Sequence, residues 1–175
     1  ASMQPTLNNT TDPLTKFDVV IASKLDNPQF LDIVIANDKT HGPIIKRVIG
    51  LSGDRIKIEE IEFQKYAIKR NGKLLNEPYL KPTETMKQTY ENLNEYRANL
   101  TPEEERKLFN ENGEFIVPEN HYFLLGDNRS NSTDSSILGA VSKNNLEAVV
   151  TNVIPYGKSL TEFLIKYFLG FHIKW

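Results

Sequence analysis

The sequence predicts a mainly β protein, an antiparallel sandwich or barrel-like core carrying a small inserted helical lobe. Three observations carry this expectation. Short β-branched runs recur at close spacing through residues 17–70. One of them runs straight into Asn71-Gly72, the strongest short hairpin signal in the chain. A charged stretch with a well-specified helix start, residues 80–114, then interrupts the pattern before strands resume.

The elements follow in chain order. Residues 2–7 are short and turn-prone, and Pro5 restricts Gln4 to extended conformations, which puts Ser2 at a loop-to-strand junction. After a loop over residues 8–13, residues 17–22 read as a first strand and Asp26-Asn27-Pro28 as a turn. Residues 31–36 form a second strand, and residues 37–43 connect hairpin-like into a third. That third strand holds Ile44, Ile45, Val48 and Ile49 and ends at Ser52-Gly53-Asp54. Residues 55–59 alternate as a half-solvated strand should, and residues 66–70 lead to the hairpin. Residues 1–79 thus make the first part of the core.

In the insertion, Thr101-Pro102-Glu103-Glu104-Glu105 supplies an N-cap, a proline at the first helical position and acids in the first turn. Two amphipathic helices are expected there, the second ending near Asn112-Gly113. Residues 115–118 and 121–125 return to strand, and residues 137–141 and 146–154 read as closing strands. They complete the core through residue 159. The tail, residues 160–175, is different. At helical spacing Glu162, Lys166, Gly170 and Lys174 fall on one narrow stripe and nearly everything else is apolar. Such a helix is buried, lies in a membrane interface or begins a spanning segment. Lys166 and Lys174 beside phenylalanines and Trp175 favour the interface, with affinity for anionic lipid.

Composition excludes several functions. At 175 residues the chain is one domain, or one domain with an insertion. A net charge of −2 argues against a nucleic-acid binder, which would show a basic face. With no cysteine, disulfides, thiolate metal sites and a cysteine nucleophile are out. His41, His121 and His172 are scattered and make neither a metal cluster nor a triad, so no metal or cofactor is expected. No apolar stretch reaches the ~18–20 residues that span a bilayer. The abrupt opening on Ala1-Ser2-Met3 reads as a segment trimmed close to something important.

The chemistry gathers around Lys46-Arg47, two consecutive cations inside an apolar strand. Side chains of a strand alternate, so one of the pair points inward unless both snorkel from an edge. An inward lysine responds to desolvation by losing its proton. Ser2 has a hydroxyl that needs a base, and a neutral Lys46 among Ile44, Ile45, Val48 and Ile49 is the one in a suitable context. In the later polar loop, residues 126–135, Ser132 is placed to orient the lysine amine. Asp127 or Asp134 would accept from the planar fork of Arg129 as a buried ionic brace. The Ser2 backbone N–H is a natural oxyanion donor. Apolar residues near this dyad, with Met3, Ile33, Ile44 and Ile45 as candidates, would form shallow pockets for an extended substrate.

These segments, in this order, resemble the bacterial type I signal peptidases. Ser2-Met3-x-Pro5-Thr6-Leu7 is similar to the family's nucleophile motif, and residues 31–34 to its next strand. Lys46-Arg47-Val48-Ile49-Gly50-Leu51-x-Gly53-Asp54 resembles the general-base motif, and Gly126-Asp127-Asn128-Arg129-x-x-Ser132-x-Asp134-Ser135 the last one. Asn71-Gly72-Lys73 and Glu77-Pro78-Tyr79 look like the Gram-positive members. The resemblance implies an antiparallel β fold and a Ser2 nucleophile with Lys46 as base and Ser132 orienting it. It also implies a membrane anchor upstream of Ser2 and an active site on the extracytoplasmic face of the cell membrane. The implied activity is endoproteolysis of exported preproteins after small residues at −1 and −3, with no cofactor.

Ser136 stands where the family usually has arginine, and Ser52 where it usually has proline. Both leave room for a specialised member, tied to one substrate such as a pilin. The alternative is a signal-peptidase-like assembly factor or chaperone that binds a pilin or other secreted substrate without cutting it. A self-cleaving Ser-Lys peptidase of the SOS-repressor type would need an internal Ala-Gly site and a DNA-binding domain, and the sequence displays neither.

Overall fold

The fold is given by a computed structural model that describes residues 2–8, 18–38, 40 and 42–157. The apolar tail and its expected interfacial helix lie outside the described residues, as do Phe17, His41 and His172. In chain order the strands are β1 (Val19–Ser23), β2 (Ile33–Asp38), β3 (Gly42–Gly50), β4 (Arg55–Glu62), β5 (Lys65–Arg70) and β6 (Lys73–Leu74). Two helices follow, α1 (Lys87–Ala98) and α2 (Pro102–Leu108), then β7 (Phe115–Ile116) and β8 (His121–Leu125). The chain continues through α3 (Ser135–Leu138), β9 (Val141–Ser142), a 3-10 turn and β10 (Leu146–Ile154).

The strands form two antiparallel sheets, ordered β1-β10-β2-β3-β8-β9 and β6-β5-β4-β7. The expected mainly antiparallel β architecture with helices inserted between strands is therefore present. Ile49, Phe123 and Leu125 of the larger sheet meet Ile56, Ile58, Ile68 and Phe115 of the smaller in one apolar cluster. Met86 and Leu93 bring the start and middle of α1 into that same cluster. The other face of the larger sheet is a second cluster built on Val34, Val48, Leu124 and Val149. Burying a strand on both sides removes the half-solvated alternation, so β3 reads as a continuous apolar run.

Local chemistry explains most boundaries. Asn71 and Gly72 take φ of 53° and 77°, the two left-handed positions of a tight hairpin, and Asn71 Oδ1 accepts from the Arg55 amide. Thr101 accepts from the Glu104 amide while the Glu104 carboxylate accepts from the Thr101 amide, a complete capping box at the start of α2. No side chain caps α1, whose preceding residue Met86 sits at φ 55°. Packing holds that helix instead: Thr89 and Leu93 are buried, and Tyr90 stacks on Tyr66 at 4.7 Å between ring centres.

Four expectations are corrected. Residues 2–6 form a turn, and the described residues that directly follow it, Leu7 and Asn8, are not in a strand, because the Leu7 amide closes back on the Met3 carbonyl at 2.8 Å. The helix after Thr101 stops at Leu108 instead of Asn112-Gly113, since Phe109 turns extended and bridges to Phe115. Ile137 and Leu138 belong to α3, not to a closing strand. The Asp134 carboxylate caps that short helix, its carbonyl accepts both their amides, and Gly139 at φ 76° ends it. Finally, Lys46 and Arg47 are both buried, so the reading in which the two snorkel into water from an edge is excluded.

Candidate active site

The adjacent cations of β3 are both withdrawn from solvent, Lys46 to 3% exposure and Arg47 to 8%. They leave opposite faces of the strand, opposite Val34 and Ile33 respectively on β2. The two answer the cost of burial in different ways. Arg47 is paired: its Nε and Nη2 reach the carboxylate of the wholly buried Asp127 at 2.9 and 2.7 Å. Its Nη1 donates to the Leu31 carbonyl at 2.8 Å, and the Tyr79 ring lies 4.0 Å beneath the guanidinium. Tyr79 itself is pushed above the usual phenol range by burial and by the Glu77 carboxylate, so it stays protonated and donates to Glu77 at 2.7 Å.

Lys46 has no such partner. Its Nζ lies 2.8 Å from Ser2 Oγ and 3.1 Å from the Ile45 carbonyl oxygen. Desolvation holds its pKa below the ordinary 10.5, against an opposing pull from the Asp134 charge. A lysine so placed can accept a proton from the hydroxyl it touches. Among the described residues no group of acidic and histidine side chains could hold a metal ion.

Ser2 is fixed from behind by the polar loop between β8 and α3. The Asn128 amide donates to the Ser2 carbonyl at 2.9 Å. Thr6, at the end of the Ser2 turn, donates its hydroxyl to Asp127, the same carboxylate that Arg47 grips. One buried carboxylate thus ties together the turn of Ser2, the strand of Lys46 and the loop.

The expected ionic brace is rearranged. Arg129 pairs with neither Asp127 nor Asp134; it lies against Glu77, and its Nε donates to the Gly126 carbonyl at 2.9 Å. Asp127 is occupied by Arg47, and Asp134 accepts from the Gly126 amide at 2.9 Å and from the Ser136 amide and hydroxyl at 3.1 and 2.8 Å. Ser136 is thereby a hydrogen-bond donor to Asp134. Ser132, expected to orient the lysine, makes no hydrogen bond; its buried Oγ packs on Gly126 beside the Ser2 carbonyl. Lys46 spends its contacts on Ser2 and Ile45 instead.

A cleft of about 270 Å³ is lined by Ser2, Ile44, Lys46, Asn131, Thr133 and Leu138. Of the four expected substrate contacts, Ile44 alone is on its wall. Ile33 and Ile45 leave the Arg47 face of the sheet, because Ile33 stands opposite Arg47 and Ile45 lies one residue from Lys46. Met3 is buried inside the turn at 4% exposure. Sequence reasoning did not single out Leu138, Asn131 or Thr133, which carried no periodic signal.

Residues 1–154 match the family described as signal peptidase, peptidase S26. The chain belongs to that family. Signal peptidase I S of Bacillus subtilis (strain 168) is 34% identical over 135 residues, covering 77% of this chain and 61% of that protein. Signal peptidase I P of Bacillus subtilis subsp. natto is 38% identical over 122 residues, covering 67% and 55%. The chain thus spans 55–61% of the length of these two relatives. A signal peptidase I from Enterococcus faecalis V583 superposes at a TM-score of 0.47 and 27% identity, covering 72% of this chain and 98% of its own. The family's sequence match takes in both Ser2 and Lys46 and ends with β10.

Proposed function

We propose that this signal peptidase family member is a serine endopeptidase that removes signal peptides from exported preproteins with a Ser2–Lys46 dyad. It would work on the extracytoplasmic face of the cell membrane, with anionic lipid as a surface partner and no nucleic acid. The observation that carries the reading is the 2.8 Å approach of Lys46 Nζ to Ser2 Oγ in a desolvated site. Neutral Lys46 takes the Ser2 hydroxyl proton as Oγ attacks the scissile carbonyl, and returns it to the leaving amine as the acyl-enzyme forms. A water then attacks the ester with the same lysine as base, releasing the signal peptide's new carboxyl end. The Ser2 amide, on a backbone whose carbonyl is held by Asn128, donates to the oxyanion.

The register of β3 supports binding by strand addition. β8 pairs with β3 only from Arg47 onward, so among the described residues Gly42–Lys46 has a hydrogen-bonded strand on the β2 side alone. An extended substrate laid along that free edge presents alternate side chains to the same face, which fits selection at −1 and −3. The turn at Ser2–Thr6 is not itself a strand, so among the described residues near Ser2 the edge of β3 carries the pairing.

Incubation with an Ala-x-Ala signal-peptide substrate in detergent tests the proposal. Wild-type protein should cleave after the second alanine; Ser2→Ala and Lys46→Met should each abolish cleavage, and the double variant should be little worse. Lys46→Arg should also fail, because a guanidinium does not deprotonate. Leucine at −1 or −3 should block cleavage, whereas leucine at −2 should be tolerated. A Lys46→Met protein keeping a tenth of wild-type turnover would remove the lysine from its role.

A further inference from the structure

The inserted segment meets the polar loop at Arg129, and the contact is buried. Thr89, on the first turn of α1, is 1% exposed and donates its hydroxyl to the Arg129 carbonyl at 3.1 Å. Arg129, also 1% exposed, is gripped on its side-chain end as well. Its Nη1 lies 3.6 Å from Met86 Sδ, immediately before α1, and its guanidinium meets Glu77. From Arg129 the connections run inward. Its Nε donates to the Gly126 carbonyl at 2.9 Å, and Asn128, between those two residues, donates its amide to the Ser2 carbonyl at 2.9 Å. At the other end of α1, the Tyr96 ring closes over Gly139, where α3 ends one residue after the cleft-lining Leu138.

We infer that Thr89 is a positioning residue for the nucleophile: through the Arg129 main chain it fixes the loop whose Asn128 amide holds the Ser2 carbonyl. The argument is one of geometry and cost. Five residues of irregular backbone, 126–130, must be kept in one shape within the protein, and irregular backbone keeps a shape only where its polar groups are satisfied. The Arg129 carbonyl is satisfied by Thr89 Oγ1. No water replaces that donor at a position this deeply buried without room being made for it. Removing the hydroxyl leaves the carbonyl unpaired, and the loop relaxes toward solvent to recover a partner. The residue that moves with it is Asn128, and the group that loses its anchor is Ser2. The helix thus acts at a distance from the reacting atoms, on orientation and not on chemistry or substrate binding.

This rests on the Ser2–Lys46 reading of the site, and the test separates the two. Three variants are compared with wild type: Thr89→Ser keeps the hydroxyl and loses a methyl, Thr89→Val keeps the shape and loses the hydroxyl, Thr89→Ala loses both. Cleavage of an Ala-x-Ala substrate is measured as kcat and KM separately. Exchange of the Asn128 amide is followed by NMR against the amides of Val48 and Leu124 as internal standards. Rates should follow the hydroxyl: Thr89→Ser close to wild type, Thr89→Val and Thr89→Ala about tenfold lower in kcat with KM within twofold. The Asn128 amide should exchange at least tenfold faster in those two variants, with Val48 and Leu124 unchanged. Rates that follow size, with Thr89→Val like wild type and Thr89→Ser impaired, would overturn the inference and leave Thr89 as packing. Should Thr89→Val fail to fold, the serine and alanine variants make the same comparison. If the wild-type protein cleaves no signal-peptide substrate, the proposed function falls, while exchange at Asn128 still decides whether Thr89 anchors the loop.

Discussion

The Cα of Gly126 lies against the carbonyl oxygen of Ser2, so close that a methyl group there would stand 2.5 Å from that oxygen. It would come closer still to Ser132 Oγ. The backbone of Gly126 is not left-handed, so the requirement is for space. Gly126→Ala should displace the Ser2 backbone, and a misplacement approaching 1 Å costs about 10²-fold in rate. Overpacking should also lower stability by roughly 1–3 kcal/mol. Kinetics and thermal melts of the variant check both; wild-type kcat/KM would contradict the assigned contact.

Lys46 sets the pH dependence. Its folded-state pKa is depressed from 10.5 by desolvation, the Asp134 charge working the other way. Catalysis by the neutral amine should therefore rise with pH through the folded-state pKa. Stability moves in the same direction. Between the folded-state value and 10.5 the unfolded chain binds more protons, so stability increases with pH across that window and is lost as pH falls through it. Lys46→Met removes this dependence, and its melting temperature should exceed the wild-type value most clearly at neutral and acidic pH. A flat rate profile between pH 6 and 10 would count against lysine as the base.

Ser132 gives an unusual separation of stability from activity. Its Oγ is buried without a hydrogen-bond partner, a state that costs about 1–3 kcal/mol. Ser132→Ala should consequently melt no lower than wild type, and up to a few degrees higher at about 2–4 °C per kcal/mol. Cleavage should fall nonetheless if the hydroxyl is kept for the reaction. A clear drop in melting temperature would mean that the hydroxyl is already bonded in the resting protein.

Breaking the Arg47–Asp127 pair should be among the costliest single changes. Asp127→Asn leaves a buried guanidinium without its counter-charge and loosens Thr6, which shares the carboxylate. The expected loss is about 3–5 kcal/mol. Adding Arg47→Met to Asp127→Asn should recover part of it, because the second change removes the stranded charge. Thermal melts of the single and double variants measure this coupling, and additive losses would argue that the two side chains do not act as a pair.

Much of this was legible in the chain. Asn71-Gly72 and Thr101-Pro102 fix their hairpin and helix start by local rules, and those rules met no opposition. The adjacency of Lys46 to Arg47 pointed to a buried cation as one of two readings, the other being an edge strand with both in water, and their burial decides between them. What could not be read were the partners. Which carboxylate meets Arg47 and which meets Arg129 depends on how the loop folds over β3, and Asp127, Asp134 and Glu77 are equivalent by composition. Ile137 and Leu138 looked like strand by their side chains; the Asp134 cap overrode that preference. Thr89 gave no signal at all, since a threonine amid polar helix residues reads as solvated. Its role exists only once α1 is laid across the loop.

The two neighbouring cations of β3 also guard the fold against mis-threading. Sliding β3 by one position against β2 would exchange the faces of Lys46 and Arg47 and turn the apolar set around with them. The lysine could shed its proton in either setting. The guanidinium has no such escape, and away from Asp127 it would remain a bare charge in an apolar interior. A slipped chain is therefore not a slightly worse enzyme but a state carrying a penalty larger than most single mutations impose. Arginine next to Lys46 acts as a proofreading device during folding, making the alignment that brings Lys46 to Ser2 the one in which the whole strand can be buried.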